Sequence, residues 1–288
     1  MLSICIPTYR YDVCPLVADL LQQAVTVNEA IEVLVYDDAS PDDGDWGRAE
    51  LRQTSGIRYI ELKTNLGRAA IRNKMTREAS HKFVLLMDAD GWPPPDFLGR
   101  YLKAITALKL PAVIIGGRTY TSTPPVDYKL HLHWWYGSQR EARTPGRISQ
   151  DGWLGFQSNN FLTTRALLLA HPFPESHHGY GHEDTLWGQQ FVGTEVSIHP
   201  GNNPVVHLGL ETNEIFLQKQ RQAIDNLRLL KKQSPHLRTR LINLIEKLPF
   251  LPTLAGLISE QTLVNYLNGQ KRPNLYALDV LKLRWWIK

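Results

Sequence analysis

The sequence is poor in cysteine and has no long apolar run. Cys5 and Cys14 are the only cysteines among 288 residues, too few for a disulfide framework or a cysteine-based zinc site. The longest strongly apolar stretch, 83–87, is far shorter than the roughly 18–20 residues that a membrane span needs. The N-terminus lacks the basic leader of a signal peptide. We therefore expect a soluble, cytoplasmic protein whose two cysteines remain thiols.

The chain also lacks a strong excess of charge of one sign. Its 32 basic and 28 acidic residues leave a net charge of +4. A nucleic-acid-binding protein typically carries a dense basic stripe, so we expect no nucleic acid partner. A mild positive charge would suit an anionic small molecule or an acidic membrane surface.

Two common nucleotide-binding motifs are missing after the first predicted strand. A dehydrogenase would need Gly-x-Gly-x-x-Gly at that place, and a nucleotidyltransferase would need a basic, glycine-rich loop. The segment Pro7-Thr8-Tyr9-Arg10-Tyr11 contains no glycine. Its composition disfavours both enzyme classes.

What the first 115 residues do contain is a regular alternation of apolar runs and helical stretches. The apolar runs predict strands at 2–6, 31–36, 57–62, 83–87 and 112–115. Helical spacing predicts helices at 15–24, 46–53, 68–80 and 97–108. This alternation predicts βαβ units and a mostly parallel sheet that is buried on both faces.

The rest of the chain is less regular. We predict a strand running into a helix at 161–170, a helix that ends near residue 191, and late strands at 195–199 and 204–208. An amphipathic helix is predicted at 214–232, followed by short helices to the C-terminus.

Carboxylates follow two of the predicted strands. Asp88 and Asp90 follow the fourth strand, and Asp37 and Asp38 follow the second. Parallel sheets bind ligands beyond the carboxyl ends of their strands, and two carboxylates one residue apart can hold a divalent cation that carries phosphates. A solvated turn is the alternative for the first pair. For the second pair the alternative is a turn or helix cap formed by Ser40 or Asp42.

The segment Asn65–Asn73 opens the helix that follows the third strand. Gly67 permits close backbone approach, and a helix N-terminus favours anions. Arg68 and Arg72 are four residues apart, so they share one helix face and can point together at a phosphate or a base. Two solvated arginines on an exposed face are the alternative.

Two adjacent carboxylates, Glu183 and Asp184, begin a helix after the glycine-rich turn Gly179-Tyr180-Gly181. Acidic residues at a helix start are also ordinary dipole chemistry. A catalytic role needs one carboxylate that can accept a proton from a hydroxyl nucleophile. His207, after a late strand, could complete a metal site as a neutral imidazole, although a lone histidine there is more often structural.

Tryptophans stand in polar surroundings at Trp134-Trp135 and Trp153, and others lie in the C-terminal tail at Trp285-Trp286. Aromatic faces can pack on the apolar faces of sugars, and interdomain packing is the alternative. The mixture of basic and aromatic residues in the tail suits a membrane interface. Docking of the tail tryptophans on the core is the alternative there.

Taken in order, these segments resemble the GT-A family 2 glycosyltransferases. The matching segments are Leu2–Tyr9, Asp37–Ser40, Asn65–Asn73, Asp88–Asp90, Ser158–Arg165, Gly181–Asp184 and His207. The likeness covers about residues 1–212. Arg10 departs from it, because the family usually has Asn there. A processive synthase would carry Gln-x-x-Arg-Trp, whereas 281–285 lacks the Gln.

The resemblance implies an α/β fold of the GT-A (Rossmann-like) type, with a mostly parallel central sheet, flanking helices and a C-terminal helical extension. It implies a nucleotide-sugar-binding half at 1–116, an acceptor and catalytic-base half of the same GT-A domain at 117–212, and the extension at 213–288.

The implied activity is that of a bacterial, inverting, non-processive transferase dependent on Mn²⁺ or Mg²⁺. One sugar moves from a nucleotide diphosphate sugar, by family habit UDP-linked, to a hydroxyl of a glycan or lipid-linked acceptor. A degenerate sugar-nucleotide or glycan-binding module without turnover, or a sugar nucleotidyltransferase, is the alternative. A lipid-linked acceptor would fit peripheral contact of the tail with the inner face of the cell membrane.

The resemblance also implies residue roles. Asp184 is the base and Glu183 holds the acceptor. The metal ligands are Asp88, Asp90 and His207. The nucleotide-sugar residues are Pro7, Thr8, Tyr9, Asp37, Asp38, Asn65, Gly67, Arg68, Arg72, Asp88, Ala89 and Asp90. The acceptor strand supplies Asn159 and Asn160, to which we add Trp135 and Trp153 as candidate sugar-stacking residues.

Overall fold

The computed structural model describes residues 1–175 and 181–287. The strands of this part of the chain are β1 (Leu2–Thr8), β2 (Ile31–Asp37), β3 (Ile57–Glu61), β4 (Phe83–Met87), β5 (Gly91–Trp92), β6 (Ala112–Ile115), β7 (Arg118–Thr119), β8 (Asn160–Thr164), β9 (Ser197–Pro200) and β10 (Val205–His207). The α-helices are α1 (Cys14–Thr26), α2 (Arg48–Gln53), α3 (Arg68–Glu78), α4 (Phe97–Thr106), α5 (His131–Tyr136), α6 (Pro145–Asp151), α7 (Arg165–Ala170), α8 (Glu183–Gln189), α9 (Asn213–Gln233), α10 (Arg240–Lys247), α11 (Leu251–Gly256), α12 (Glu260–Gly269) and α13 (Leu275–Trp286).

Seven strands form the central sheet, in the order β3-β2-β1-β4-β8-β6-β9. All neighbouring pairs are parallel except the two that β8 makes, with β4 and with β6. The predicted mostly parallel α/β sheet with flanking helices is therefore confirmed. A small second sheet has the order β5-β10-β7.

The central sheet is buried on both faces, which explains its continuous apolar runs. Side chains of β4 alternate between two core clusters: Leu85 packs with residues of α1 and α4, and Leu86 packs with residues of α3, α7 and α8. Both cysteines are buried and free.

Two predicted boundaries differ from the structure for clear reasons. β1 continues through Pro7 to Thr8. The pairing of β1 with β4 ends at Cys5, so the missing N–H of Pro7 costs no hydrogen bond to β4. The helix predicted from residue 46 begins instead at Arg48. Trp46 and Gly47 have φ angles of 51° and 71°, which a right-handed helix does not allow.

The described chain divides into two compact units. Unit 1 comprises Met1–Thr119, Arg143–Glu175 and Glu183–Leu208. Unit 2 comprises Tyr120–Ala142, residues 181–182 and the chain from Gly209 onward. The three-part division by function, at 1–116, 117–212 and 213–288, stays a prediction.

Unit 2 has its own core, in which residues of α9 pack with residues of α5, α12 and α13. Trp285 is 3% exposed, and its indole nitrogen donates to Glu260 at 2.9 Å. Trp286 packs against the same core. Docking on the core is therefore the role of the tail tryptophans here, and the burial of Trp285 excludes a lipid contact by that side chain. No helix of the described chain is long and apolar enough to cross a membrane.

Candidate active site

The loops after β1, β2 and β4 meet at one edge of the central sheet. The backbone amide of Asp38 donates to the carbonyl of Thr8 at 2.8 Å, and that of Asp88 donates to the carbonyl of Asn159 at 2.9 Å. Since β1 lies between β2 and β4, the two acidic loops lie on either side of the loop after β1 at this edge, as strand-end geometry predicts.

Asp37 is 2% exposed, and both of its carboxylate oxygens are engaged within the fold. One accepts from the amide of Ser40 at 2.8 Å, and the other accepts from Nε of Arg48 at 2.9 Å. Asp37 therefore closes the turn itself, whereas the capping alternative gave that role to Ser40 or Asp42, and the predicted nucleotide-sugar contact of Asp37 stays a prediction.

Asp38 binds the backbone that leads into α3. Its two oxygens accept from the amides of Leu66 and Gly67 at 2.7 and 2.9 Å, and its carbonyl accepts from the side chain of Asn65 at 2.8 Å. Burial raises the pKa of Asp38, as does the nearby charge of Asp37. The hydrogen bonds from the amides of Leu66 and Gly67 oppose this shift. The anion that Gly67 meets here is therefore the protein's own carboxylate.

Asp88 lies between two arginines. Its Oδ1 accepts from Arg72 at 2.8 Å, and its Oδ2 accepts from Arg118 at 3.3 Å. Arg72 is 3% exposed, so this α3 arginine is a buried counterion and not the solvated residue of the alternative. A buried guanidinium that is always charged makes the site suited to anions.

Arg118 reaches Asp88 because two glycines bring its strand close to the core. A Cβ at Gly116 would overlap the side chains of Tyr101 and Asn160. Gly117 has a φ of +98°, and a Cβ there would lie 2.6 Å from the carbonyl oxygen of Arg143. Only glycine fits both the conformation and the space at position 117.

Asp90 faces His207, the residue expected to complete a metal site. The two are brought together by the β5–β10 pairing, in which Gly91 is opposite His207, and Asp90 Oδ1 lies 3.3 Å from His207 Nδ1. Burial alone would raise the pKa of Asp90. The nearby imidazole of His207, with the charges of Arg118 and Arg68, instead holds that pKa well below its usual range.

The donor set fits a divalent cation only in part. Asp90 Oδ1 is buried without a well-aligned hydrogen-bond donor in the described chain, and it faces an imidazole nitrogen, which is an arrangement that two ligands of one ion can share. Among residues 1–175 and 181–287, no group of three His, Cys, Asp or Glu is placed to hold a metal. Asp90 and His207 would therefore need substrate oxygens as further ligands, and Asp88 would have to leave its arginines.

Glu183 and Asp184 begin α8, as predicted. The chain turns into this helix through Gly181 and His182, whose φ angles of 91° and 72° are both positive. Gly179 and Tyr180, which begin the predicted motif, lie outside the described residues. Glu183 is held by arginines of α3: its Oε1 lies 3.7 Å from Arg72 and 4.0 Å from Arg68.

Arg72 therefore connects the two acidic pairs. One of its terminal nitrogens bonds to Asp88 and the other faces Glu183. The charge of Arg68 also lowers the pKa of both Asp90 and Asp184. The carboxylates that follow β4 and those that begin α8 thus surround one arginine pair.

Asp184 has the environment of a base. Burial and the adjacent charge of Glu183 raise its pKa to about 6, against the opposing effects of a bond from the Thr185 amide and the charges of Arg72 and Arg68. The Thr185 amide donates to Asp184 Oδ1 at 2.7 Å. A carboxylate with a pKa near the working pH is effective in proton transfer.

The two predicted acceptor asparagines have different environments. Asn160 uses its amide within the fold: it accepts from Tyr101 at 2.6 Å and donates to the carbonyls of Gly117 and Asn203 at 3.0 and 2.9 Å. Asn159 is 5% exposed, and its amide nitrogen and oxygen find no hydrogen-bond partner within the described ranges. These contacts favour a structural role for Asn160 and a ligand contact for Asn159, and both acceptor roles stay predictions.

The predicted stacking tryptophans take part in packing. Trp153 lies 4.9 Å from the ring of Phe191 and donates to the carbonyl of Val196 at 3.3 Å. In unit 2, Trp135 donates to the carbonyl of Pro273 at 3.1 Å. Packing, the expected alternative, accounts for both contacts, and stacking on a sugar stays a prediction.

The first loop and the centre of the Asp-x-Asp motif are mainly structural in their contacts. Thr8 is buried and donates to the carbonyl of Tyr11 at 2.9 Å, Pro7 extends β1, and Ala89 packs against the core. Tyr9 differs, because it is 48% exposed at the same sheet edge. The guanidinium carbon of Arg10 lies over its ring, 5.7 Å from the centroid.

Sequence reasoning missed Arg48 and Arg118, which neutralise Asp37 and Asp88. A single arginine with no local pattern around it gives no sequence signal. Because buried charges are paired, carboxylates at a buried strand end indicate that cationic partners exist. They do not indicate which residues those partners are.

Comparison with known proteins identifies the family. The family model of Glycosyl transferase family 2 matches residues 3–168. The chain belongs to this glycosyltransferase family. Asp37, Asp38, Asp88 and Asp90, and both arginines of α3, lie within the matched range. A search of curated protein sequences finds no match to this glycosyltransferase.

Solved structures share its fold. The mannosyltransferase PcManGT from Pyrobaculum calidifontis, in complex with GDP-Man and Mn²⁺, is 17% identical with a TM-score of 0.52, covering 97% of this chain and 72% of that one. S. aureus TarS 1–349 with UDP-GlcNAc is 17% identical with a TM-score of 0.50, covering 98% and 89%. The longer S. aureus TarS has the same identity and TM-score, but only 54% of it is covered. The fold of this glycosyltransferase is GT-A, and family and fold together support glycosyl transfer.

Proposed function

We propose that this family 2 glycosyltransferase moves one sugar, with inversion, from a nucleoside diphosphate sugar to an acceptor hydroxyl. The observation that carries the proposal is the bridging of Asp88 and Glu183 by the buried Arg72. This bridge joins the strand-end carboxylates, suited to the diphosphate side, to the α8 carboxylates, suited to the acceptor side. UDP is the proposed nucleotide, and a glycan or lipid-linked oligosaccharide is the proposed acceptor.

Asp184 acts as the base in this proposal. It takes the proton of the acceptor hydroxyl as that oxygen attacks the anomeric carbon, while the bond to the diphosphate oxygen breaks on the opposite face of the sugar. The raised pKa of about 6 leaves Asp184 ionised at neutral pH and still basic enough to accept the proton. Glu183, oriented by Arg68 and Arg72, accepts a hydrogen bond from the acceptor.

The arginines of α3 stabilise the negative charge that develops on the leaving diphosphate. Asp90 and His207 would hold a divalent cation, Mn²⁺ or Mg²⁺, with Asp88 as the third proposed ligand. When bound, such an ion neutralises charge on the diphosphate. The positive charges of Arg68, Arg72 and Arg118 act in the same direction.

The remaining contacts are assigned from exposure and unmet hydrogen bonding. Tyr9 stacks on the base, and the Asp37–Asp38 loop lies beside it at the same sheet edge. The buried amide of Asn159, adjacent to Asp88, meets a sugar hydroxyl. Each buried polar atom without a hydrogen-bond partner destabilises the protein by about 1–3 kcal/mol. A hydroxyl that bonds to both the nitrogen and the oxygen of this amide would recover that free energy on binding.

The test is turnover against a panel of nucleotide sugars with Mn²⁺, read as released nucleoside diphosphate. In the variant Asp184→Asn we expect turnover to fall about 10²–10⁴-fold, the usual contribution of a general base. Binding of the nucleoside diphosphate, measured by calorimetry, should change less than about twofold because Asn keeps the shape of the side chain.

Asp19→Asn is the matched control, since this α1 aspartate bonds only to Gln23 in the contacts of the described chain. It should leave both readouts unchanged. Equal loss of turnover and nucleotide binding in Asp184→Asn would contradict the base role. Tight nucleotide binding without turnover in the unaltered protein, across the panel, would indicate a binding module instead.

A further inference from the structure

Unit 2 exposes an unusual concentration of large apolar side chains. Six lie within fifteen residues of α10, α11 and their flanking turns, and a seventh lies at the end of α13. These side chains are Leu244 (37% exposed), Leu248 (39%), Phe250 (54%), Leu254 (51%), Leu257 (81%), Ile258 (43%) and Ile287 (49%). Single exposed apolar residues are ordinary, but a group of this size marks an interaction surface. We call it the α10–α11 face.

The spacing of these residues places them together. Leu248 directly follows α10, and its amide donates to the carbonyl of Leu244 at 2.9 Å. Phe250 and Leu257 flank α11 with helical backbone angles, so with Leu254 they are spaced four and three apart along one side of that helix. Ile287 joins them, since a Cβ added at Gly256 would lie 2.8 Å from its Cδ1.

The other side of the same helices is anchored in unit 2. Ile242 is 1% exposed and Ala255 is 5% exposed. The exposure of the α10–α11 face is therefore a feature of folded helices and not of a loose segment. Its side chains can be changed with little effect on the core.

The charge of the chain is concentrated beside this face. Residues 231–258 contain five basic residues and one acidic residue, so they carry +4, which equals the net charge of the whole chain. The single acidic residue, Glu246, is paired with Arg238 at 2.7 Å and Lys231 at 2.8 Å. Lys232, Arg240 and Lys247 are exposed around it.

We propose that the α10–α11 face binds the surface of an anionic phospholipid bilayer. Leucine and phenylalanine side chains enter the boundary between headgroups and acyl chains, and the surrounding lysines and arginines contact anionic headgroups. The combination of exposed apolar residues with local positive charge favours this occupant over a second copy of the chain, because two copies would bring two positive segments together. The contact is made by α10 and α11, and not by Trp285, which is buried, or Trp286, which packs against the core of unit 2.

Flotation of the full chain with vesicles tests the proposal. The protein should float with vesicles that contain phosphatidylglycerol and much less with phosphatidylcholine alone, and added salt should weaken the binding. The double variant Leu254→Ser/Leu257→Ser should bind at least about tenfold more weakly, because it removes apolar area that enters the bilayer. The variant Lys232→Gln/Lys247→Gln should also lose about tenfold.

Matched controls change the same residue types elsewhere. Val126→Ser/Ile215→Ser removes exposed apolar residues of unit 2 outside the face, and Lys63→Gln/Lys109→Gln removes two exposed lysines of unit 1. Both should bind within about twofold of the unaltered chain. Circular dichroism and thermal unfolding of every variant check that the fold is retained.

Three results would overturn the proposal. The chain does not float with anionic vesicles, or it floats equally with both compositions, or the leucine variant changes the oligomeric state in ultracentrifugation while its flotation is unchanged. The last result would assign the face to contacts between copies. Flotation requires no turnover, so this inference stands or falls separately from the proposed reaction.

Discussion

Asp90 and Asp184 belong to the same unit, and the charge of Arg68 lowers the pKa of both. Their other neighbours nevertheless shift the two pKa values in opposite directions. Asp90 meets His207 and the charge of Arg118, which lower its pKa despite burial. Asp184 meets Glu183, a like charge, which adds to burial and raises its pKa to about 6. Neighbours of opposite and of like charge thus separate the pKa values of the two carboxylates, which suits Asp90 to stay ionised and Asp184, the proposed base, to accept a proton.

The largest effect is expected where the two acidic pairs are joined. Arg72→Met should lower the free energy of unfolding by up to about 3–5 kcal/mol, because the partly buried Asp88 and Glu183 lose their buried partner and keep only Arg118 and the more distant Arg68. Denaturant unfolding measures the change. Arg68→Met is the control: this arginine is 55% exposed and 4.0 Å from Glu183, so its loss should cost less than about 1 kcal/mol. Equal losses in the two variants would show that the pairs are not joined through Arg72.

The second prediction concerns stability, because the raised pKa of Asp184 lowers the free energy of unfolding at neutral pH. Folding disfavours the ionised form of Asp184, so the penalty is present above pH 6, fades between about pH 6 and pH 4, and is absent below. Asp184→Asn removes the charge and should raise the free energy of unfolding at pH 8 by about 1–2 kcal/mol, a figure reduced for partial exposure of the side chain. At pH 4 the variant and the unaltered chain should unfold alike. Destabilisation at pH 8 would contradict the assignment.

The smallest effect tests the cause of the shift at Asp184. Glu183→Gln removes the like charge, so the pKa of Asp184 should fall by about 0.5–1 unit. The acidic limb of kcat/KM against pH should then move to lower pH, because Asp184 stays ionised further into the acid range. Titration of a carboxyl-labelled sample by NMR gives the same pKa without turnover. An unchanged pKa would mean that burial alone is responsible, and a higher pKa would contradict the assigned effect of Glu183.

The sheet and the approximate position of the site were predictable because both depend on local patterns. Apolar runs bounded by polar residues marked β1 to β4 and β6, and carboxylates directly after β2 and β4 marked the edge. Pairings between distant residues were not predictable. Arg118 reaches Asp88 across 30 positions, and its approach depends on the close packing at Gly116 and Gly117, for which periodicity carries no signal.

The C-terminal tail is a second place where the sequence did not predict the contacts of its side chains. A mixture of tryptophans and basic residues fits a membrane interface and a docked helix equally well, because composition does not say which face a helix buries. The structure places Trp285 in the core of unit 2 and leaves the leucines of α10 and α11 exposed. The proposed membrane contact is therefore placed on α10 and α11, because their leucines are exposed and Trp285 is not.

The single reversed strand of the central sheet has a consequence for how this enzyme can diversify. Because β8 runs against β4 and β6, the chain leaves the sheet after Gly116 and returns at Asn160 along the same rim, where the Gly116 amide donates to the Asn160 carbonyl at 3.0 Å. The stretch between them begins with β7, which pairs with β10 and carries the Arg118 that binds Asp88, so changes of length beyond Thr119 are the ones that leave both sheets in register. Length and sequence can therefore vary between Thr119 and Asn159 while the strands that precede Asp38 and Asp88 keep their pairing.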